Sequence, residues 1–270
     1  MTRPAQLLII DPQNDFCDIA GAALPVSGAQ ADLTRLQAFL RSARDRIDEV
    51  IVTLDSHPTV AIERPTFWRT RDGSEVSAFT EITAAEVQAG KYAPRESSLT
   101  EDVLSYLHAL EGGGRYRLMV WPVHCVIGTW GHNIYPALAS EIAQWEIEHQ
   151  RGCFKVMKGM NPMTEQYSAV RAEVPRADDP RTQNNRELIE RARPTDGFLF
   201  VAGEAASHCV AATLTHLFEE MSAAELKRTV ILRDCMSPVA GFETHAARFF
   251  EYASSQGALV LTHTEALQLL

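Results

Sequence analysis

The chain has 270 residues, 46% hydrophobic and 22% charged, enough apolar material for a substantial core in one α/β unit carrying insertions. Its 35 acidic against 25 basic residues leave a formal net charge of −10, which works against a nucleic-acid or anionic-membrane partner because neither attracts a net acidic surface. No stretch approaches the roughly 20 apolar residues of a bilayer span, Met1 to Asp11 lacks the build of a secretory leader, and the five cysteines (Cys17, Cys125, Cys153, Cys209, Cys235) are too scattered for a disulfide framework or a Cys-x-x-Cys metal site, so a reduced, cytoplasmic setting is expected.

Along the chain, Leu7-Leu8-Ile9-Ile10 reads as a buried strand, because its apolar character is continuous rather than alternating. Gln30 to Ile47 reads as a helix with Leu33, Leu36, Leu40 and Ile47 near one stripe. Val50 to Leu54 is a second strand. The stretch from Thr59 to Arg117 is too long for a simple connection and carries its own structure. Thr83-Ala-Ala-Glu86 and Ser98-Leu-Thr-Glu101 both match the capping box. The second is expected to open a helix through Val103, Leu104, Leu107 and Leu110 that Gly112-Gly113-Gly114 stops. Phe154 to Met157 is a third strand, Val174 to Asn185 a polar loop, and Phe198 to Val201 a fourth strand. A helix over His208 to Met221, a strand over Val230 to Leu232, a helix over Glu243 to Ser255 and a strand over Ala258 to Leu261 complete the series. Such alternation predicts an α/β fold, a three-layer α/β/α sandwich around a six-stranded, mostly parallel, doubly wound sheet. Residues 1–270 are read as one domain with a structured insertion at about 59–117.

Ligands bind outside the carboxyl ends of the strands in such sheets. Asp11 follows the first strand, Asp55 and His57 the second, Lys158 the third, and Gly203 to Cys209 the fourth, where a helix opens. An acid, an acid–imidazole pair, an amine and a thiol are thereby delivered to one rim. A cysteine in the first turn of a helix feels the positive end of its dipole, and a neighbouring lysine favours its thiolate. A nearby carboxylate can take the thiol proton and later return it to a leaving amine. Asp11, Lys158 and Cys209 therefore suit the roles of base, electrostatic stabiliser and nucleophile.

The sequence around these positions resembles the isochorismatase-like cysteine hydrolases, and within them the nicotinamidases. The likeness is carried by Ile9-Ile10-Asp11-Pro12-Gln13-Asn14-Asp15-Phe16, Asp55-Ser56-His57-Pro58, Trp121-Pro122-Val123-His124-Cys125-Val126, Lys158 with Glu165-Gln166-Tyr167-Ser168, and Gly203 through Val210. It implies hydrolysis of a small amide by a catalytic triad of Asp11, Lys158 and Cys209. It also implies a non-proline cis peptide at Glu204-Ala205 and an oxyanion hole from the N–H groups of Ala205 and Cys209. A divalent metal, zinc, would be held by Asp55, His57 and His124, with no organic cofactor. Phe16, Trp121 and Tyr167 would hold a flat or small substrate, and the chain would be a homo-oligomer. One departure stands out: nearly 60 residues separate the Asp-x-His pair from the Trp-Pro-x-His block, where the family usually runs directly.

Blander readings apply to each of these residues. A cysteine at a helix start can be a small buried hydrophobe, Asp11 a loop cap, Lys158 a solvated strand-end charge, and the Asp55, His57 and His124 group a hydrogen-bonded structural cluster. Trp121 can be plain core. His208 is expected to be a partly exposed helix residue pointing away from Cys209. His132, His149, His216 and His245 show no ligating spacing, Asp234-Cys235 reads as structural, and Glu63 is a minor candidate for a further metal contact. The rival functions are a metal-independent carbamoyl or ureido amidohydrolase of the same superfamily and a non-catalytic ligand-binding or redox protein on the same fold.

Overall fold

Alternate residues of an apolar strand face opposite sides of a sheet, so a run such as Leu7 to Ile10 is buried throughout only if both sides are covered. The computed structural model describes residues 5–270; residues 1–4, the head of the segment read for a leader, lie outside it. Leu7 and Ile9 pack into one hydrophobic cluster with Leu33, Leu36 and Trp145, and Leu8 and Ile10 into another with Val210, Leu214 and Leu217. Full burial of each such side chain is worth about 1.5–3 kcal/mol, and the two clusters hold the layers together.

Apart from short 3-10 turns, the elements run β1 (Ala5–Ile10), α1 (Ala29–Ala43), β2 (Ile47–Asp55), β3 (Trp68–Thr70), β4 (Thr80–Ile82), α2 (Ala84–Gln88), β5 (Tyr92–Pro94), α3 (Thr100–Gly112) and β6 (Leu118–Val120). They continue with α4 (Pro136–His149), β7 (Phe154–Lys158), α5 (Arg186–Arg191), β8 (Leu199–Gly203), α6 (Cys209–Glu220), α7 (Ala223–Leu226), β9 (Thr229–Leu232), α8 (Glu243–Gln256), β10 (Leu259–Leu261) and α9 (His263–Ala266).

Six strands form one sheet in the order β10-β9-β8-β1-β2-β7, with every pair parallel. This is the doubly wound α/β sheet that the sequence predicts. From the middle, β1 leads through β2 to β7 on one side and β8 leads through β9 to β10 on the other. The direction of winding therefore reverses between β1 and β8, and a crevice opens there at the carboxyl ends. Among the described residues no helix is long and apolar enough to cross a membrane, and all five cysteines are free.

Residues 59–117 contribute a third hydrophobic cluster of their own, built on Trp68, Ile82, Val103 and Leu107. Two short antiparallel ribbons, β3 with β5 and β4 with β6, frame it. Trp68 is wholly buried and its indole N–H donates to the Ile62 carbonyl at 2.6 Å.

Three details depart from the sequence reading. Ile47 does not close the first helix; α1 ends at Ala43 and Ile47 opens β2, where it is equally buried. Thr83 and Glu86 do form a reciprocal capping box, but Ser98 caps nothing. Ser97 to Leu99 is instead a 3-10 turn in which Glu96 accepts from the Ser98 N–H, and α3 starts at Thr100. Helix α4 escaped the reading because it starts at Pro136 without a side-chain cap and its buried stripe of Leu138, Ile142 and Trp145 is interrupted by Glu141.

Candidate active site

Parallel pairing sets the positions of the reactive groups before any side chain is considered. Asp55 and Lys158 are register partners at the ends of β2 and β7, and Ile10 is the partner of Gly203 at the ends of β1 and β8. Asp11, Asp55, Lys158 and the loop after Gly203 thus share one edge. Two glycines permit the approach. A Cβ on Gly203, whose φ is +118°, would lie 2.0 Å from the Ile10 carbonyl oxygen, and one on Gly159, whose φ is +78°, would lie 2.6 Å from the His57 ring.

Lys158 is the hub. Its Nζ lies 2.9 Å from Asp11 Oδ2 as an ion pair, donates to Asp55 Oδ1 at 2.7 Å and to the Gln166 carbonyl at 3.2 Å, and reaches Cys209 Sγ at 3.5 Å. Thr53 Oγ1 donates to Asp11 Oδ1 at 2.5 Å and fixes that carboxylate from behind. Asp11 itself has φ of 43°, a left-handed conformation that aspartate tolerates better than most residues. Burial works against the charge on Lys158, but Asp11 and Asp55 outweigh it and keep the amine protonated well above its ordinary range. Burial pushes the Asp11 carboxyl up, with Lys158 opposing. It likewise pushes the Cys209 thiol well up despite Lys158, so the resting sulfur keeps its proton. The structure therefore brings Asp11, Lys158 and Cys209 into one buried group.

Cys209 opens α6, and its N–H lies in the unbonded first turn. The Glu204-Ala205 peptide is cis. Among the described residues neither the Ala205 nor the Cys209 N–H donates to a backbone carbonyl, whereas Ala206 donates to Ser237 and Val210 to Ala205. Ala205 and Cys209 line one cavity, and amide donors left free at such a place can stabilise a developing oxyanion.

Beside this group, ligand atoms of Asp55, His57 and His124 lie within 4.8 Å of one another. Backbone bonds from His57 N–H to Cys125 and from Ile127 N–H to His57 bring the second histidine's loop against the first. His57 Nε2 is 2.8 Å and His124 Nε2 3.2 Å from Asp55 Oδ2. Of the outer nitrogens, His124 Nδ1 is 2.8 Å from the Pro122 carbonyl, while His57 Nδ1 lies 3.1 Å from Glu63 Oε1 as an ion-pair contact without hydrogen-bond geometry. Imidazoles backed by a carboxylate and a carbonyl are the usual support of metal-binding histidines.

The charge pattern fits a divalent cation as well. Glu63, Glu165, Asp55 and Arg64 are all buried around these rings, and both Glu63 oxygens and Glu165 Oε2 lack a hydrogen-bond partner among the described residues. Burial and Arg64 work against charge on His57, but Asp55 and Glu63 raise it to about 9. Burial, then Glu63, pushes Glu165 to about 8. The cluster thus takes up protons where a cation at Asp55, His57 and His124 would supply the same charge. Asp55 is pushed up by burial, yet His57 and Lys158 hold it well below the usual carboxylate range. Burial and Arg64 lower His124 to about 4. Arg64 Nη1 lies 2.6 Å from His124 Nδ1, and a guanidinium only donates, so it meets the lone pair of that nitrogen. Ligation through Nε2 needs the other tautomer, with Nδ1–H given to Pro122.

Phe16, Trp121 and Tyr167 all line the cavity that Cys209 opens into, with Asp55, His124 and Glu165. Trp121 and Tyr167 do not face each other as a sandwich. They meet edge-on at 6.4 Å, with the indole N–H donating to the tyrosine oxygen at 3.0 Å. Phe79, from the long insertion, braces Trp121 edge-on at 5.9 Å.

His208 corrects the sequence reading. It is buried and lines the same cavity, because α6 starts one residue later and the non-helical residue before it turns its ring inward onto Trp121 and Tyr167. Glu165 and Arg64 were not assigned roles in the sequence; Glu165 lies within a motif block and Arg64 in a loop outside any motif, and only the fold shows them buried. His132 bonds Ser56 at 2.8 Å, and Asp234 holds His263 at the start of α9 at 2.7 Å, both structural contacts.

Burial lowers His208 to about 4, with His245 adding, and burial with Arg171 and Arg115 lowers His216 to about 3. Both folded values lie below the unfolded one of 6.5, so their contribution to stability is complete above pH 6.5 and is lost as pH falls through 4 and 3. The buried carboxyls raised by burial, Glu165 among them, act in the opposite direction, so the test is a difference: the stability lost between neutral pH and pH 4 is expected to be smaller in His216→Gln than in the parent, and an identical loss in both would contradict a buried neutral His216.

No family model matches the chain. It is 26% identical over 235 residues to the nicotinamidase of Saccharomyces cerevisiae, covering 86% of this chain and 88% of that one. A nicotinamidase/pyrazinamidase structure from Acinetobacter baumanii superimposes with a TM-score of 0.65 at 19% identity, over 98% of this chain and 99% of that one. A pyrazinamidase of Pyrococcus horikoshii, solved in complex with zinc, superimposes with a TM-score of 0.56 at 18% identity, over 96% of this chain and 99% of that one. In fold the chain is isochorismatase-like, and over nearly its whole length it is similar to nicotinamidases.

Proposed function

We propose that the chain is a cysteine-dependent amidohydrolase that cleaves a small carboxamide to the acid and ammonia. The observation that carries this reading is the position of Lys158, buried between Asp11 at 2.9 Å and Cys209 Sγ at 3.5 Å. In the resting state the thiol is protonated, so its proton passes to Asp11 as the sulfur attacks the carbonyl carbon. Lys158 stabilises the negative charge during the transfer. The Ala205 and Cys209 N–H groups hold the oxyanion, and Asp11 returns the proton to the nitrogen as the C–N bond breaks and ammonia leaves. Asp11 then takes a proton from water, the hydroxyl adds to the thioester, and the carboxylic acid departs as the thiol re-forms. Ammonia release from nicotinamide and from small aliphatic amides, each with a Cys209→Ala control, tests the reaction. Absence of release from every amide would overturn it.

Asp55, His57 and His124 are the residues that would hold the metal, zinc in this reading. Bound there, the metal supplies Lewis-acid polarisation or a coordination site for a ring nitrogen of the substrate. Elemental analysis is expected to find about one metal per chain. Dialysis against a chelator is expected to lower turnover at least about tenfold, with recovery on adding zinc. Undiminished turnover after complete metal removal would reassign the chain to the metal-independent carbamoyl or ureido amidohydrolases.

A further inference from the structure

The cavity beside Cys209 leaves about 30 Å³ for the centres of water-sized spheres, a measure on which one water takes roughly 10–15 Å³, and so has room for a carboxamide head. Beyond it lies a chamber of about 460 Å³, and Trp121, Tyr167 and His208 line both spaces. The far wall of the chamber belongs to the long insertion, through Glu81, Glu111, Arg115, Tyr116 and Arg117, and Phe242 and His245 at the head of α8 close it.

The chemistry of this wall selects a class of occupant. Its inner surface is aromatic: His208 meets Phe242 at 4.6 Å and Trp121 at 5.3 Å, and Tyr116 leans on Tyr167 at 4.9 Å. Its charges are already engaged within the protein. Arg117 donates to Glu81 at 2.8 Å, Arg115 to His216 at 2.7 Å, and Glu111 accepts from the Ala84 N–H at 2.7 Å. An ionic ligand would have to break one of these pairs, whereas a flat uncharged group needs only the ring faces.

We propose that the chamber is a second substrate subsite, and that the preferred substrates are primary carboxamides whose ring carries a second, uncharged aromatic ring opposite the carboxamide. The inference rests on the amidohydrolase reading and adds to it what residues 59–117 are for. The carboxamide enters the inner cavity, the first ring lies at the Trp121, Tyr167 and His208 constriction, and the second ring fills the chamber against Phe242 and Tyr116.

The test compares nicotinamide with a nicotinamide bearing a phenyl ring opposite the carboxamide, and with biphenyl carboxamide, on the full-length protein. The two-ring amides are expected to show kcat/KM at least about tenfold above nicotinamide, and Phe242→Ala is expected to shrink that ratio. Equal or faster turnover of nicotinamide would overturn the subsite while leaving the amidohydrolase reading intact. Calorimetric binding of the same compounds to Cys209→Ala separates the two ideas further. Tighter binding of the two-ring amides supports the subsite even without turnover, and equal or weaker binding overturns it.

Discussion

Replacement of Cys209 by alanine is expected to lower amide turnover at least about a thousandfold, because among the described residues it supplies the one thiol lining the cavity. The buried Asp11 and Lys158 alone can orient a water, which accounts for any residual rate. The fold should survive. Cys209 donates no hydrogen bond that holds the α6 start, and Lys158 keeps both carboxylate partners when the sulfur is gone. The melting temperature is therefore expected to move by only a few degrees. Mass spectrometry supplies a second readout. Alkylation of the native protein is expected at Cys209, which lines the cavity, and not at Cys17, Cys125 or Cys235, which are wholly buried. A substrate-like amide should suppress that label. Turnover unchanged in Cys209→Ala would remove the thioester mechanism altogether.

How much of this was legible beforehand depends on the distance over which each feature is encoded. The six strands were readable because each is a local apolar run, and the strand-end residues Asp11, Asp55 and Lys158 followed from counting to the end of each run. Their convergence needed only the parallel-sheet rule, which the Asp55–Lys158 register now expresses in coordinates. What stayed hidden was set by single-residue shifts or by long-range packing. His208 looked like a helix residue directed away from Cys209, but the helix begins at Cys209 and the ring before it turns into the cavity. Ser98 matched a capping pattern, yet the chain takes a 3-10 turn there and Glu96 bonds the Ser98 N–H instead. Arg64 sits nine residues past the end of β2 in a loop with no local pattern to mark it, and Glu63, a minor candidate in the sequence, lies just before it; their burial against His124 and His57 arises only from tertiary packing. The chamber walled by Arg115 to Arg117 is likewise a product of tertiary packing between segments far apart in the chain.

Lys158→Met is expected to damage both stability and activity. Lys158 is essentially inaccessible to water, and its ammonium lies between two buried carboxylates at 2.9 and 2.7 Å. Removing one partner of such a buried cluster leaves charge uncompensated and typically costs about 3–5 kcal/mol. The loss has a definite pH dependence. Without the lysine, Asp11 keeps only Thr53 and its own burial, and Asp55 keeps His57, so the carboxyl pKa values rise in the folded variant. A group whose folded pKa is raised contributes stability below its unfolded pKa and loses it as pH rises through the folded value. The deficit relative to the parent should therefore be smallest in mild acid and grow toward neutral pH, as urea unfolding at several pH values would show. Activity should fall at least about a hundredfold across that range, since the charge opposite the thiolate is gone. Lys158→Arg is not expected to rescue it, because a planar guanidinium does not fit a slot shaped for one ammonium with three donors. Asp11→Asn combined with Lys158→Met removes the unpaired charge along with its partner, so part of the stability should return while the activity does not. That split separates the structural work of the lysine from its catalytic work, and a double variant as unstable as Lys158→Met alone would show that the Asp11 charge is not what the lysine holds in check.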